Sequence, residues 1–486
     1  MRRSLALVLA VALAGAARAE DWTQPESRTF AIHPAKPPTP ALSIRLIPPR
    51  EARIAGDAAV FYHRALESLI EIRYREEIQA MKGGGGSNVE QQAMEWLAGD
   101  PGRFSRDEVR TLVERRSRAL EEARLGTLRE TCDWGFSRRE EGFSLLLSDI
   151  QEMRSLARWI SLKARLDAEE GRIDDAILGT RTGLAVARDV SRGGGYIQSL
   201  VAITCANLTL AGLEDLVQKP GCPNLYWALA TIPRPFIDLS DASFHDSAMV
   251  EQEFPLLRQL ESHVWSLETA RACGDQFAKR LAVTDHWPNA TSPLTRPAID
   301  DLSAHAFQLL TIAKDYRRAK QALRDAGESA ERVEAMPMLQ VVALDSYRTY
   351  QARRDDVLKW THLPDWSAAA GWDRAEQEYS KPVSGYPFVR LISAVRAAHA
   401  SAVRLERRMA VLMVAEALRL YAASHDGALP DRLEDLVDAP APHDPVTGRP
   451  FDYKREGDRA VLLSPAPAGS EHILGLSLRC EFRPAK

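Results

Sequence analysis

The chain has 486 residues, a net charge of -4, and 27% charged residues. At this length two or three domains are expected, because a single hydrophobic core stops growing at roughly 250–300 residues. Hydrophobic residues make up 45% of the chain, a value that is ordinary for a globular protein and excludes a wholly disordered one. The nearly balanced charge provides no overall attraction to nucleic acid, so we expect no nucleic-acid partner.

Residues 1–19 have the pattern of a secretory signal peptide. Arg2 and Arg3 precede an apolar run, residues 5–17, that is too short to span a bilayer comfortably. Small residues then occupy the two positions that signal peptidase reads, in Ala17-Arg18-Ala19. We therefore predict an exported protein, periplasmic or extracellular, with no transmembrane segment after signal cleavage. An uncleaved anchor is the alternative.

Export permits disulfides, but the chain has five cysteines, so at least one is unpaired or pairs between chains. They are Cys132, Cys205, Cys222, Cys273 and Cys480. Their spacing matches no zinc-binding pattern, and we predict no metal site and no cofactor. Cys205 and Cys222 are the nearest pair, which is weak evidence for a bridge.

Residues 20–50 are predicted to form a proline-rich extended leader, because prolines at 34, 37, 38, 40, 48 and 49 remove backbone donors and disfavour helix. Residues 51–380 are predicted to form a helical domain. Within it, residues 56–360 are predicted to hold no substantial β-sheet, since apolar residues recur there at helical spacing. Residues 106–130 are one of the helical segments in this stretch.

The clearest helical stretch is 148–217, where Gly171 and the glycines at 193–195 separate three apolar stripes. This pattern predicts helical hairpins. The part from Gly171 to Ala176 resembles a tetratricopeptide unit. A repeat array needs several stacked copies, and only one unit can be recognised in the sequence. Further along, aromatic residues crowd into 360–388. We interpret them as a satellite core, with exposed stacking on sugars or proteins as the alternative.

Residues 381–486 are predicted to form a long helix followed by a small α+β module. The helix runs from about Phe388 to Ser424, and Leu433, Leu436 and Val437 are expected to pack a short helix. A turn then leads through Asp444-Pro445 and Gly448 into a strand, and Glu456-Gly457-Asp458 is expected to reverse it into a β-hairpin.

Residues 390–469 resemble the globular module of type II secretion pseudopilins. The resemblance rests on the end of the long helix at Leu418-Arg-Leu-Tyr421, on Leu429-Pro430, and on the run Asp444-Pro445…Gly448-Arg-Pro450-Phe-x-Tyr453. It implies a helix covered by a small sheet. The segment 464–470 lacks the acidic calcium-binding loop of the major pseudopilin, so we expect no bound calcium. The layout of the whole chain looks like that of large uncharacterised exported bacterial proteins.

No catalytic motif was found, and we assign no catalytic, cofactor-binding or metal-binding residue. Adjacent histidine and aspartate occur at 245–246, 285–286, 425–426 and 443–444, but the further ligands of an HD-type metal hydrolase are missing. Such pairs are more often turn or cap residues. Glu251 and Glu253 are candidates for a glycosidase pair whose separation the sequence cannot give.

The sequence thus predicts a mainly α protein: a helical-hairpin domain, possibly TPR-like, and a small pilin-like α+β module. We expect an exported, non-catalytic interaction or scaffold protein with protein partners. An envelope hydrolase with a site assembled from distant residues, or an accessory component of a secretion apparatus, is the alternative. A buried cluster of ionisable groups in a deep pocket would favour the enzyme, and a shallow groove lined by helices would favour the scaffold.

We predict cleavage after Ala19, so that the exported protein begins at Glu20. N-terminal sequencing of the secreted or periplasmic form tests this directly. An exported form that retains Met1 would contradict it.

Overall fold

A computed structural model describes residues 26–83, 89–99, 105–135, 148–286, 301–386, 388–391, 395–466 and 477–485. The predicted signal peptide and most of the segment 464–470, where no calcium-binding loop is expected, lie outside these residues. The described chain is mainly helical with a small sheet, as predicted. The helices are α1 (Ala58–Gly83), α2 (Val89–Ala98), α3 (Arg106–Arg115), α4 (Ser117–Gly126), α5 (Ser148–Glu169), α6 (Ile173–Ser191), α7 (Tyr196–Leu216), α8 (Tyr226–Ala230), α9 (Ser240–Glu253), α10 (Leu267–His286), α11 (Asp301–Asp325), α12 (Ala330–Ala335), α13 (Met338–Leu358), α14 (Asp365–Ser380) and α15 (Val395–Ser424). The strands are β1 (Glu26–Ile32), β2 (Ile54–Asp57), β3 (Arg129–Thr131), β4 (Asp452–Glu456), β5 (Arg459–Ser464) and β6 (Leu478–Pro484).

The chain divides into two compact units. The middle unit is Ser240–Arg396, and the terminal unit contains the described residues before and after it. The helical region predicted as one domain, 51–380, is therefore shared between the two units. Of the C-terminal module, predicted over 381–486, the described residues from 397 onward belong to the same unit as the first helices, whereas those before 397 belong to the middle unit. The reason is that the leader pairs with segments near the end of the chain.

A four-stranded sheet in the terminal unit shows this pairing. Its strand order is β1-β6-β5-β4; β1 runs parallel to β6, while β5 is antiparallel to both of its neighbours. Phe30 of β1 stacks on Phe482 of β6 with ring centroids 5.5 Å apart, and both rings are buried. Part of the leader that we predicted to be extended is thus a β-strand of the C-terminal sheet.

The predicted hairpin is formed by β4 and β5. Gly457 makes its turn with a φ of 69°, in the left-handed region that glycine adopts without a steric penalty. Phe451 is buried and Tyr453 half-buried, whereas Asp452 between them is exposed, because strand side chains alternate between two faces. The Tyr453 hydroxyl donates a hydrogen bond of 2.9 Å to the Pro430 carbonyl.

The short helix expected before this hairpin is a single 3-10 turn, Leu433–Asp435. Leu433 and Leu436 are buried as expected, but Val437 is 80% exposed. The turn ends too early to bring Val437 onto the apolar face. Asp435 closes it by accepting a hydrogen bond of 3.0 Å from the backbone N–H of Arg432.

A buried ion pair on α15 connects the leader with the loop after α7. Glu416 and Arg419 have side chains that are at most 1% exposed and lie 2.6 Å apart. Arg419 donates further hydrogen bonds to the carbonyls of His33 and Cys222, at 3.0 and 2.7 Å. The second carboxylate oxygen of Glu416 accepts the backbone N–H of Leu225 at 2.6 Å. Both charges are therefore compensated inside the unit.

Backbone groups add to this connection. The Ala35 N–H donates to the Arg419 carbonyl at 3.1 Å, and the Asn224 side-chain amide donates to the Glu416 carbonyl at 2.7 Å. The leader, the 222–225 loop and α15 are thereby fixed to each other by main-chain and side-chain hydrogen bonds.

The middle unit has an aromatic core. Phe277 packs against Tyr386 and Phe388, with ring centroids 4.9 and 5.2 Å apart, and Phe254 joins the same cluster. Most of the aromatic residues between 360 and 388 are thus buried or partly buried, as expected for a satellite core. Trp366 departs from this pattern, since 53% of its surface is exposed.

One helix of the described chain, α7, is long and apolar enough to cross a membrane, although the sequence predicts no transmembrane segment after signal cleavage. It is 61% buried over its apolar window and packs against α5 and α6. In the described part of residues 56–360, strand pairing is confined to the short parallel ladder of β2 with β3.

The burial of Phe451 leads to a stability prediction. Phe451→Ala in the full chain should lower the free energy of unfolding by about 3–5 kcal/mol, the usual cost of removing a buried ring. Phe244→Ala is the control, because 66% of Phe244 is exposed and its removal leaves no cavity. Chemical denaturation measures both variants. The full chain is required because β1 belongs to the same sheet. Equal stabilities of the Phe451 variant and the wild type would refute the packing.

Candidate functional site: a groove between helices of the terminal unit

The hairpin of α5 and α6 forms one side of a surface groove. Gly171 ends α5 with a φ of 79°, and the backbone N–H of Arg172 reaches the Asp167 carbonyl at 2.8 Å, the bonding pattern of a Schellman motif. Gly179 lets the two helices approach closely, because a Cβ at this position would lie 2.7 Å from that of Ala164. The hairpin is the one the sequence predicts.

The opposite side of the groove is built by α3 and α4. The sequence predicted continuous helix over 106–130, but the structure divides it at Arg116. This arginine is buried, places its guanidinium 3.8 Å from the ring centroid of Trp159, and donates a hydrogen bond of 2.6 Å to Glu76. A buried arginine that needs both an aromatic face and a carboxylate fixes the α3–α4 junction against α5.

The groove has a volume of about 630 Å³ and an apolar floor. Four aliphatic residues of the floor are largely buried: Val113, Leu120, Ile160 and Leu166. Leu178 lies among them and is 40% exposed, so the floor is accessible from solvent. A ligand that covers this accessible apolar floor removes apolar surface from water, which favours binding.

Charged side chains line the rim. Four are basic and five acidic: Arg110, Arg124, Lys163 and Arg172, and Glu114, Glu121, Asp167, Glu170 and Asp175. Each basic side chain is paired within the rim; Lys163 and Arg172 both contact Asp167 at 2.6 Å. Burial alone would raise the pKa of Glu170, but hydrogen bonds from Arg110 and Arg172 hold it below its usual value.

Glu114 carries the uncompensated charge. Its side chain is exposed on α3, and it forms no ion pair with another described residue. The rim cations are engaged with other carboxylates, so the groove presents a negative charge on its α3 side. An approaching segment with basic side chains would complement it.

A second cluster lies at the end of the bundle where α6 terminates. Asp189 is fully buried and accepts a hydrogen bond of 2.7 Å from the Tyr62 hydroxyl. Arg188 contacts the other carboxylate oxygen at 2.8 Å, and Arg192 approaches the same oxygen at 3.4 Å. Burial raises the pKa of Asp189, and the two arginines oppose that shift.

Next to this cluster, Nδ1 of His63 lies 3.0 Å from a carboxylate oxygen of Asp149, and the His63 ring meets the edge of Trp134. Neither grouping is predicted from the sequence. Tyr62 and Asp189 are 127 positions apart, and no local spacing relates α1 to the end of α6.

The predicted histidine–aspartate pairs do not converge in the described residues. His245 lies in α9 and contacts the Asp241 carbonyl at 2.8 Å. His425 stacks on Tyr421, and Asp426 adopts a φ of 50° in the turn that ends α15. Asp444 is buried and caps its own turn, as cap residues do. The side chains at 246, 285 and 286 lie outside the description.

Glu251 of the candidate glycosidase pair accepts a hydrogen bond of 2.6 Å from the hydroxyl of Tyr347. Arg258 and Arg354 lie 3.7 and 3.9 Å from its carboxylate. The side chain of Glu253 lies outside the description, so the separation of the two carboxylates is not defined. In the described residues, His, Cys, Asp and Glu side chains form no group of three that could hold a metal ion.

All five cysteines are free, and Cys205 and Cys222 do not form a bridge. Burial raises the pKa of each of these two thiols to about 12, so both are protonated at neutral pH. A thiol in this state is a poor nucleophile.

Comparison with known proteins identifies no relative: no family model, no curated protein and no solved structure matches the chain.

Proposed function

We propose that this chain is an exported, non-catalytic interaction protein that binds an amphipathic helix of a partner protein in the groove between α3–α4 and α5–α6. The observation that carries the proposal is the open apolar floor around Leu178 inside a charged rim. Export is proposed on the pattern of residues 1–19.

The backbone around the groove favours a helical ligand. The surrounding main chain is in helices, whose N–H and C=O groups are already bonded within each helix. An extended peptide would find no strand edge here with which to pair. A helix satisfies its own backbone and can place an apolar stripe on the floor, as in other helix-in-groove complexes.

The rim specifies the charge of that ligand. Since Glu114 has no partner among the described residues and the rim cations are paired, the ligand should carry basic side chains beside its apolar stripe. Such a pairing contributes more to specificity and to the association rate than to affinity.

The architecture supports two finer proposals. The succession of α5, α6 and α7 with short connections is compatible with a TPR-like arrangement, which commonly presents a binding surface. The long α15 followed by the β4–β5 hairpin supports a pseudopilin-head-like module. The parallel pairing of β1 with β6 is an addition that such a module does not require.

Designed peptides test the proposal. The panel consists of 15-residue amphipathic helices with one apolar stripe and either basic or acidic flanks, and fluorescence anisotropy measures their binding to the full chain. We expect the basic peptide to bind more tightly than the acidic one. Leu178→Glu should weaken the basic peptide at least about tenfold, since it places a charge on the apolar floor.

Two further variants sharpen the test. Glu114→Lys should reduce the preference for the basic peptide or reverse it. Leu42→Glu is the matched control, because Leu42 is 47% exposed but lies in the leader, outside the groove lining, and should leave binding unchanged. The proposal fails if no peptide binds, or if Leu178→Glu and Leu42→Glu have the same effect.

A further inference from the structure

The end of α6 concentrates positive charge that the surrounding residues only partly neutralise. Arg188 and Arg192 both contact the same carboxylate oxygen of Asp189, so their guanidinium groups are neighbours. Arg53, between the leader and β2, adds a third guanidinium. Arg53 directly precedes Ile54, which pairs with Arg129 of β3, and Arg192 reaches the carbonyl of the adjoining Glu130, so the backbone brings Arg53 to the same end of α6. Burial lowers the pKa of Arg53, and the charges of Arg188 and Arg192 lower it further.

The carboxylates in this region have other partners. Asp189 accepts the Tyr62 hydroxyl on its second oxygen. One oxygen of Asp57 accepts the backbone N–H groups of Ala59 and Asp133, at 2.9 and 3.0 Å. Asp189 is thus the carboxylate that the two α6 arginines share, while Asp57 is occupied by backbone N–H groups.

The hydrogen bonding of the three arginines is also incomplete. Nη1 and Nη2 of Arg188 are buried and have no hydrogen-bond acceptor, although Nη2 is in ion-pair contact with Asp189. Arg53 reaches the Pro48 carbonyl at 3.3 and 3.4 Å, and Arg192 reaches the Glu130 carbonyl at 3.5 Å. These bonds are long compared with charge-assisted hydrogen bonds, which are about 2.7–2.9 Å. Buried donors without an acceptor destabilise the fold unless a ligand supplies one.

We propose that Arg53, Arg188 and Arg192 form a binding site for a phosphate-type oxyanion. Its several oxygens would give acceptors to the buried nitrogens of Arg188 while the charge offsets the repulsion among the three guanidinium groups. Arginine is suited to this role because its planar donor fork matches phosphate geometry. Arg53 would join the anion from the segment between the leader and β2, so binding would also hold that segment against the end of α6.

Calorimetric titration of the full chain with inorganic phosphate tests the site. A phosphate monoester serves as the second ligand, and chloride is used at matched ionic strength to separate specific binding from screening. We expect one saturable site for phosphate. Tighter binding of the monoester would identify the natural ligand as a phosphorylated molecule, and equal or weaker binding would identify free phosphate.

Variants decide whether the binding belongs to this cluster. Arg53→Gln should weaken phosphate binding at least tenfold while the Asp189 contacts of Arg188 and Arg192 remain. Arg192→Gln, at a side chain that is 35% exposed, is a second variant that should fold and should give the same loss. Arg118→Gln on the exposed face of α4 is the control and should bind as the wild type does. The proposal is overturned if neither ligand shows saturable binding, or if both cluster variants bind as the wild type does.

Discussion

The buried pair of Glu416 and Arg419 is the interaction on which the terminal unit depends. Two charges without water are costly unless their hydrogen-bonding capacity is used, and a pair left incomplete is worse than none. Here the leader and the loop after α7 supply the missing acceptors and donor, through the carbonyls of His33 and Cys222 and the N–H of Leu225. The requirement to satisfy this pair therefore holds the leader against α15, although His33 and Arg419 are 386 positions apart.

This constraint explains why the sheet contains both ends of the described chain. Once the leader is held on α15 at His33 and Ala35, the preceding residues lie beside the C-terminal strands, and β1 completes the sheet by pairing with β6. The C-terminal module of α15 and the sheet is thus not independent of the N-terminal segment. The same unit also carries the helices that form the groove and the arginine cluster, so both proposed binding sites belong to one folded body.

Local patterns in the sequence are sufficient to predict much of this fold. Gly171 predicted the break between α5 and α6, and Gly457 predicted the turn of the hairpin, because both effects depend on nearby residues. The domain boundaries and both proposed sites depend on contacts that no local pattern contains. Arg116 looked like an ordinary residue of a continuous helix, yet the ring of Trp159 and the carboxylate of Glu76 hold it at a break. Tyr62 and Asp189 likewise have no periodic relation, so only the folded chain brings them together.

The most direct test of this account is a double-mutant cycle on the buried pair, measured as the free energy of unfolding of the full chain. Glu416→Gln and Arg419→Met should each destabilise the protein by about 3–5 kcal/mol, because each leaves part of a buried network without its partner. The double variant should lose clearly less than the sum of the two single losses, since it leaves no unpaired charge. Single variants that lose less than about 1 kcal/mol, with strictly additive effects, would contradict the claim that this pair organises the unit.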